Sequence, residues 1–191
     1  MGILKKRREF NKAIRKSKTV FLMAHKGLDL DALGSCIGLN TILTHKKKEC
    51  YIIVDDKNHE LGVEKVLKEL EGCIHIIKSE DIEKYLNPRE DKNLLIVLDT
   101  NKPELVQSKE LLKKIKNKMV IDHHDIGKST ITDALVINDD NTSSTCEMIT
   151  ELIEFYDIDI EPYYATVLLS GIVLDTNNFT LKTTNNTYYA A

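Results

Sequence analysis

The sequence predicts an α/β protein, a mostly parallel sheet with helices on both faces, followed by C-terminal helices. Three observations carry this. Short β-rich runs recur at 19–25, 49–55, 73–77, 93–99 and 118–124, and helical patterns stand between them. The runs are also apolar without alternation, as in strands covered on both sides.

Taken in order, "KKRREFNKAIRKSK" makes residues 1–18 a basic N-terminal segment, read as a solvated helix face, although a juxtamembrane or nucleic-acid patch would look similar. "TVFLMAH" is the first strand, rich in the β-branched and aromatic residues that suit a pleated surface. "DALGSCIGLNTILTHKK" reads as an amphipathic helix and "ECYIIVD", "CIHII" and "NLLIVLD" as strands. "PELVQSKELLKKIKN" is expected to be helical and "KMVIDHH" to be the fifth strand. "SSTCEMITELIEFY" offers a capping box in Ser144 and Glu147, with apolar residues at 146, 149, 152, 153 and 156 on one helix face. A last helix, "PYYATVLLSGIVLDT", begins near Pro162, a residue suited to a first turn.

Composition narrows the function classes. The 191 residues are long enough for one good core, so a single domain over 1–191 is expected. Charged residues make up 30% and nearly cancel to a net −3, so no strong field draws in long nucleic acid, and any anion binding must be local. Cys36, Cys50, Cys73 and Cys146 form no CxxC pair and read as reduced thiols of a cytoplasmic protein. No apolar run approaches the roughly 18 residues of a spanning helix, and no signal peptide is evident.

The chemistry lies at the ends of the strands. "AHKGLDLDALGS" places His25, Asp29 and Asp31 together, and two carboxylates so close repel unless a cation or protons sit between them. Asp99 ends one strand and Asp122, His123 and His124 end another, all at the carboxyl edge where parallel sheets bind ligands. Asp175 ends the last helix. Alone, Asp99 would be a turn-capping aspartate, His123 a satisfied core histidine and Asp175 a helix terminator; their joint placement outweighs those readings. Four carboxylates and two imidazoles exceed what one zinc needs and suit two divalent ions, with manganese the natural choice. His45, His59 and His75 have no such company.

The ordered segments "AHKGLDLDALGS", "IVLDT", "VIDHH" and "LLSGIVLDTNNFTL" resemble the four motifs of the DHH phosphoesterase superfamily, from Val20 to the end of the chain. "NTSSTCEMITELIEFY" and "DTNNFTLKTTNNTYYAA" are most similar to its cyclic-di-AMP phosphodiesterase branch. The resemblance implies two Mn2+ ions: His25, Asp29 and a bridging Asp99 for one, and Asp31, Asp99, His123 and Asp175 for the other. Asp122 would orient an imidazole and His124 would reach the substrate phosphate. This chain has Gly27 and Leu28 where the branch usually has asparagine or tyrosine and then proline.

The function implied is hydrolysis of cyclic-di-AMP to linear pApA, or of short oligonucleotides, by a metal-activated water. The alternatives are an inorganic pyrophosphatase and a metal-binding module with little activity in isolation. The resemblance also implies that the nucleotide-gripping C-terminal domain of the family is absent, so that this is the catalytic half of a longer protein, weakly active alone. The parent would be membrane-anchored with this domain facing the cytosol. The oligomeric state stays open, a homodimer included.

Overall fold

The structure, a computed structural model, describes residues 2–55 and 58–191. Two short helices, α1 (Gly2–Lys5) and α2 (Arg7–Lys16), lead into β1 (Thr19–Met23), α3 (Leu30–His45), β2 (Glu49–Ile53), α4 (Leu61–Glu69) and β3 (Ile76–Ile77). The second half runs β4 (Asn93–Leu98), α5 (Lys109–Lys114), β5 (Lys118–Asp122), β6 (Leu135–Asn138), α6 (Thr145–Phe155), α7 (Pro162–Asp175) and α8 (Asn185–Ala190). The strands form one sheet in the order β3-β2-β1-β4-β5-β6, every neighbour parallel. The order reverses between β1 and β4, so connections leave those two strands in opposite directions and open a crevice at their carboxyl ends.

Alternate residues of each strand enter two apolar layers. Val20, Leu22, Ile52, Leu94 and Ile96 pack with α3, α6 and α7, while Phe21, Met23, Ile53, Leu95 and Val97 face the opposite side. The continuous apolar runs thus correspond to strands covered on both faces. The two covers are unequal. Among the described residues, the second face is covered by α5, the 3-10 turn Ser79–Lys84 and loops, through Leu111, Leu112 and Ile82.

Several expectations need correction. The helix expected over 103–117 shrinks to α5, because the backbone before it is used elsewhere: Val106 bridges His25, Leu105 O accepts from Lys26 N at 2.8 Å, and Gln107 N donates to Ala24 O. Ser108 then caps α5 by accepting from Leu111 N. α3 is not amphipathic but buried nearly all round, from Asp31 to Asn40 without a break. β6, a four-residue edge strand, went unread. The capping box is half formed: Ser144 accepts from Glu147 N, but the Glu147 carboxylate takes Ser143 N, Ser143 Oγ and Thr187 Oγ1 instead of returning to Ser144 N.

α3 and α7 touch through glycine. A Cβ on Gly171 would lie 2.9 Å from Asp31 Cα and 2.6 Å from Cys146 Sγ, closer than atoms pack. The missing side chain lets α7 bring Asp175, one turn further on, over the start of α3.

Candidate metal centre

Each ligand expected from the sequence is set by the end of an element. Asp29 is the N-cap of α3; its Oδ1 accepts from Ala32 N at 2.8 Å, which leaves Oδ2 free for His25. Gly27, just before, has φ +64, a conformation open to glycine at no steric cost. Asp99 directly follows β4 with φ +57, a left-handed conformation that aspartate tolerates better than most residues. Asp31 is fully buried and accepts from Thr145 N at 2.8 Å and Cys146 N at 2.7 Å, the first two amides of α6. A helix amino end favours the anionic carboxylate.

These side chains form two groups that share one carboxylate. His25 Nε2 lies 3.3 Å from Asp99 Oδ2 and 3.5 Å from Asp29 Oδ2. His123 Nε2 lies 3.5 Å from Asp99 Oδ1, 3.1 Å from Asp175 Oδ2 and 3.9 Å from Asp31 Oδ2. Donor atoms of His25, Asp29 and Asp99 all fall within 4.8 Å of one another, as do those of Asp31, His123 and Asp175. Asp99 therefore turns one oxygen to each group.

Asp122 and His124 stand beside them. Asp122 is buried; its Oδ1 lies 2.8 Å from His124 Nδ1 and its Oδ2 accepts from Asn101 Nδ2 at 2.5 Å. His124 is half exposed, and with His25, Asp29, Asp99, Lys102 and Asp175 it lines a cleft of ≈ 300 Å³. His45 and His75 are exposed and His59 is half-buried, and none of them joins these groups.

The electrostatics fit a place built for cations. Burial works against a charge on His25, yet its contacts with Asp29 and Asp99 prevail and raise its pKa to about 11. Asp29 is correspondingly lowered, its burial outweighed by His25. Burial, and then the charges of Asp99 and Asp175, push Asp31 well above the usual carboxylate range. His123 is raised against its burial by Asp175, Asp31 and Asp99, and His124 is raised chiefly by Asp122.

One observation tests whether a metal fits. Both ring nitrogens of His123 are sealed from solvent, and neither makes an aligned hydrogen bond among the described residues. A buried imidazole so placed costs stability unless something occupies it, and Nε2 faces three carboxylates. Oxygen donors with imidazole suit divalent first-row ions.

All six residues expected as ligands, and the two expected beside them, thus come together. Sequence reasoning missed Thr145, which binds Asp31 through its amide and donates its hydroxyl to Asp99 Oδ1 at 2.9 Å, and Asn101, which holds Asp122. Thr145 had a signal, standing just after Ser143 and Ser144 at the start of a helix; Asn101 had only its place two residues after Asp99.

Comparison with known proteins identifies the family. The chain is 38% identical over 183 residues to the cyclic-di-AMP phosphodiesterase PdeA of Listeria monocytogenes, covering 93% of this chain and 28% of that protein. It is 34% identical over 188 residues to the cyclic-di-AMP phosphodiesterase GdpP of Bacillus subtilis, with the same shares. This chain therefore spans little more than a quarter of the length of these curated relatives. Among solved structures, an exopolyphosphatase-related protein from Bacteroides fragilis shares the fold, with a TM-score of 0.77 at 22% identity over 98% of this chain and 55% of that one. The family model described as "DHH family, N-terminal domain" matches residues 19–172, the span that carries every group above except Asp175, and the chain belongs to the DHH family.

Proposed function

We propose that this chain is the metal-bearing domain of a phosphodiesterase that hydrolyses cyclic-di-AMP to linear pApA, with two Mn2+ ions as cofactor. The observation that carries the reading is the Asp99 carboxylate, which turns Oδ2 to His25 and Oδ1 to His123. His25, Asp29 and Asp99 would hold one ion, and Asp31, Asp99, His123 and Asp175 the other. Two divalent ions, when bound, make water acidic enough to ionise near neutral pH and offset the charge of a phosphodiester. The cyclic-di-AMP phosphodiesterases PdeA and GdpP among the relatives support the substrate.

The protein's own groups orient and complete this chemistry. Asp122 Oδ1 accepts a hydrogen bond from His124 Nδ1–H at 2.8 Å and favours the doubly protonated ring, so Nε2 can donate to a phosphate oxygen at the mouth of the cleft. Asn101 holds Asp122 from behind. Lys102 adds a cation to the rim. Among the described residues the cleft lining includes no Phe, Tyr or Trp on which an adenine could stack. A cytosolic place of action, in a membrane-attached parent, completes the reading; the four free thiols support it.

The test is hydrolysis by protein stripped with a chelator and reloaded with Mn2+, Mg2+ or Zn2+. Cyclic-di-AMP, bis-p-nitrophenyl phosphate and pyrophosphate are the substrates. The reading expects Mn2+-dependent pApA formation, with the activated diester less dependent on base recognition. Asp99→Asn should lower both diesterase rates by roughly 100-fold or more, as expected when a ligand to a catalytic metal is lost, with unchanged circular dichroism. Pyrophosphate turnover without diesterase activity, or full activity in Asp99→Asn, would overturn it.

A further inference from the structure

The two densest cationic runs of the sequence, around residues 5–18 and 46–48, are separated by α3 and β1 yet meet on one surface. Arg8, Lys12 and Arg15 project from α2 and face Lys46 and Lys48, from the turn between α3 and β2, across a groove of ≈ 790 Å³. Asn11 and Ile14 complete the lining, which among the described residues contains no carboxylate. In a chain of net charge −3 this concentration is local. A charge run on one helix is ordinarily a solvated face; two runs converging on a concavity are a different arrangement.

The half-buried cations are held in place. Lys48 Nζ donates to Ser17 O at 2.7 Å, and Lys46 Nζ sits 3.6 Å over the Tyr156 ring, whose hydroxyl donates to Asn11 Oδ1. Burial lowers the pKa of Lys46, and burial together with Lys92 lowers that of Lys48, so both ammonium groups are held at an electrostatic cost. Arg8, Lys12 and Arg15 have no carboxylate within ion-pair distance among the described residues.

The position separates this groove from the metal centre. Ser17 and Lys48 precede the amino ends of β1 and β2, whereas His25 and Asp99 follow the carboxyl ends of β1 and β4. Asp31 lies in the first turn of α3 and Lys46 caps its last, about 22 Å apart along the helix. A ligand here does not touch the reacting phosphate.

We propose that this groove binds a small soluble anion carrying two or more phosphate groups. Its concavity suits a compact ligand better than a flat bilayer, and two arginines offer the planar fork that matches phosphate oxygens. Among the described residues the lining includes no Phe, Tyr or Trp on which nucleic-acid bases would stack.

The probe is inorganic tripolyphosphate, titrated calorimetrically into chelator-treated protein, whose acidic metal centre repels an anion. Saturable one-to-one binding is expected, weakened at least tenfold in Arg8→Gln/Arg15→Gln and unchanged in Lys65→Gln/Lys68→Gln on α4. Vesicles of phosphatidylglycerol form the second arm and should not bind. Absent or non-saturating binding, an equal loss in the α4 pair, or capture by vesicles without tripolyphosphate binding would each overturn the proposal. Arg8 and Arg15 are exposed, and circular dichroism confirms that the variant folds.

Discussion

Thr145 donates its hydroxyl to Asp99 Oδ1 at 2.9 Å while its amide donates to Asp31 Oδ2 at 2.8 Å. One residue at the amino end of α6 thereby positions two carboxylates from different elements, both behind the same imidazole, His123. Groups that orient metal ligands typically carry tenfold to 100-fold in affinity. Thr145→Val keeps the shape and the amide but removes the hydroxyl. It should weaken Mn2+ binding by about 10-fold or more and cost about 1 kcal/mol of stability. Calorimetric Mn2+ titration reads this, and unchanged affinity would remove Thr145 from the site.

Gly171→Ala tests the helix contact. The added methyl would stand 2.9 Å from Asp31 Cα and 3.0 Å from Leu30 O, both backbone atoms with little room to yield. Overpacking of this kind costs about 1–3 kcal/mol, and α7 must move away from α3, taking Asp175 with it. Both the melting temperature and Mn2+ affinity should fall. A variant that melts lower but binds metal normally would show that the contact supports the fold alone.

Metal addition should stabilise the protein. Without cations, Asp29, Asp31, Asp99 and Asp175 converge on two imidazoles, and ions that bind only the folded chain raise its stability by linkage. At a hundred times Kd the gain is about 2.7 kcal/mol. Thermal melts in chelator and in millimolar Mn2+ should differ by several degrees. No shift would argue that the cluster holds no ion.

In chelator, stability should depend on pH through the contact between His25 and Asp29. His25 is raised from 6.5 to about 11, so its contribution is complete below 6.5 and is lost as pH climbs towards 11. Asp29 is lowered from 3.8, so its contribution is present above 3.8 and is lost on acidification below it. The contact is therefore at full strength between those ordinary values. Asp31, pushed upward, also makes stability fall with rising pH, so the useful reading is the difference between wild type and His25→Gln. That difference should be largest near pH 6 and shrink by pH 9 and beyond. A difference independent of pH would exclude a charged His25.

The legible part of the candidate site was the set of proposed ligands. His25, Asp29, Asp31, Asp99, His123 and Asp175 stand at ends of segments whose apolar runs mark them as strands and helices, and ends are where polar side chains can leave the core. β6 was not legible, because four residues at a sheet edge carry too little pattern. Residues 103–108 misled for a physical reason: their spacing suits a helix, but pairing with the loop after β1 claims their backbone groups. A helix cannot use the same amides twice.

Local patterning was enough for five of the six strands, for the long helices α3, α6 and α7, and for the carboxylates and imidazoles at the ends of these segments. Tertiary structure alone decided that Asp99 faces two groups at once, that Gly171 lets α7 reach Asp31, and that Lys46 and Lys48 face Arg8, Lys12 and Arg15. The reason is distance along the chain. Residues 31 and 145, or 15 and 46, meet only after the sheet has ordered its strands 3-2-1-4-5-6 and α3 has been buried between β1 and α7, and no local pattern encodes the approach of segments so far apart.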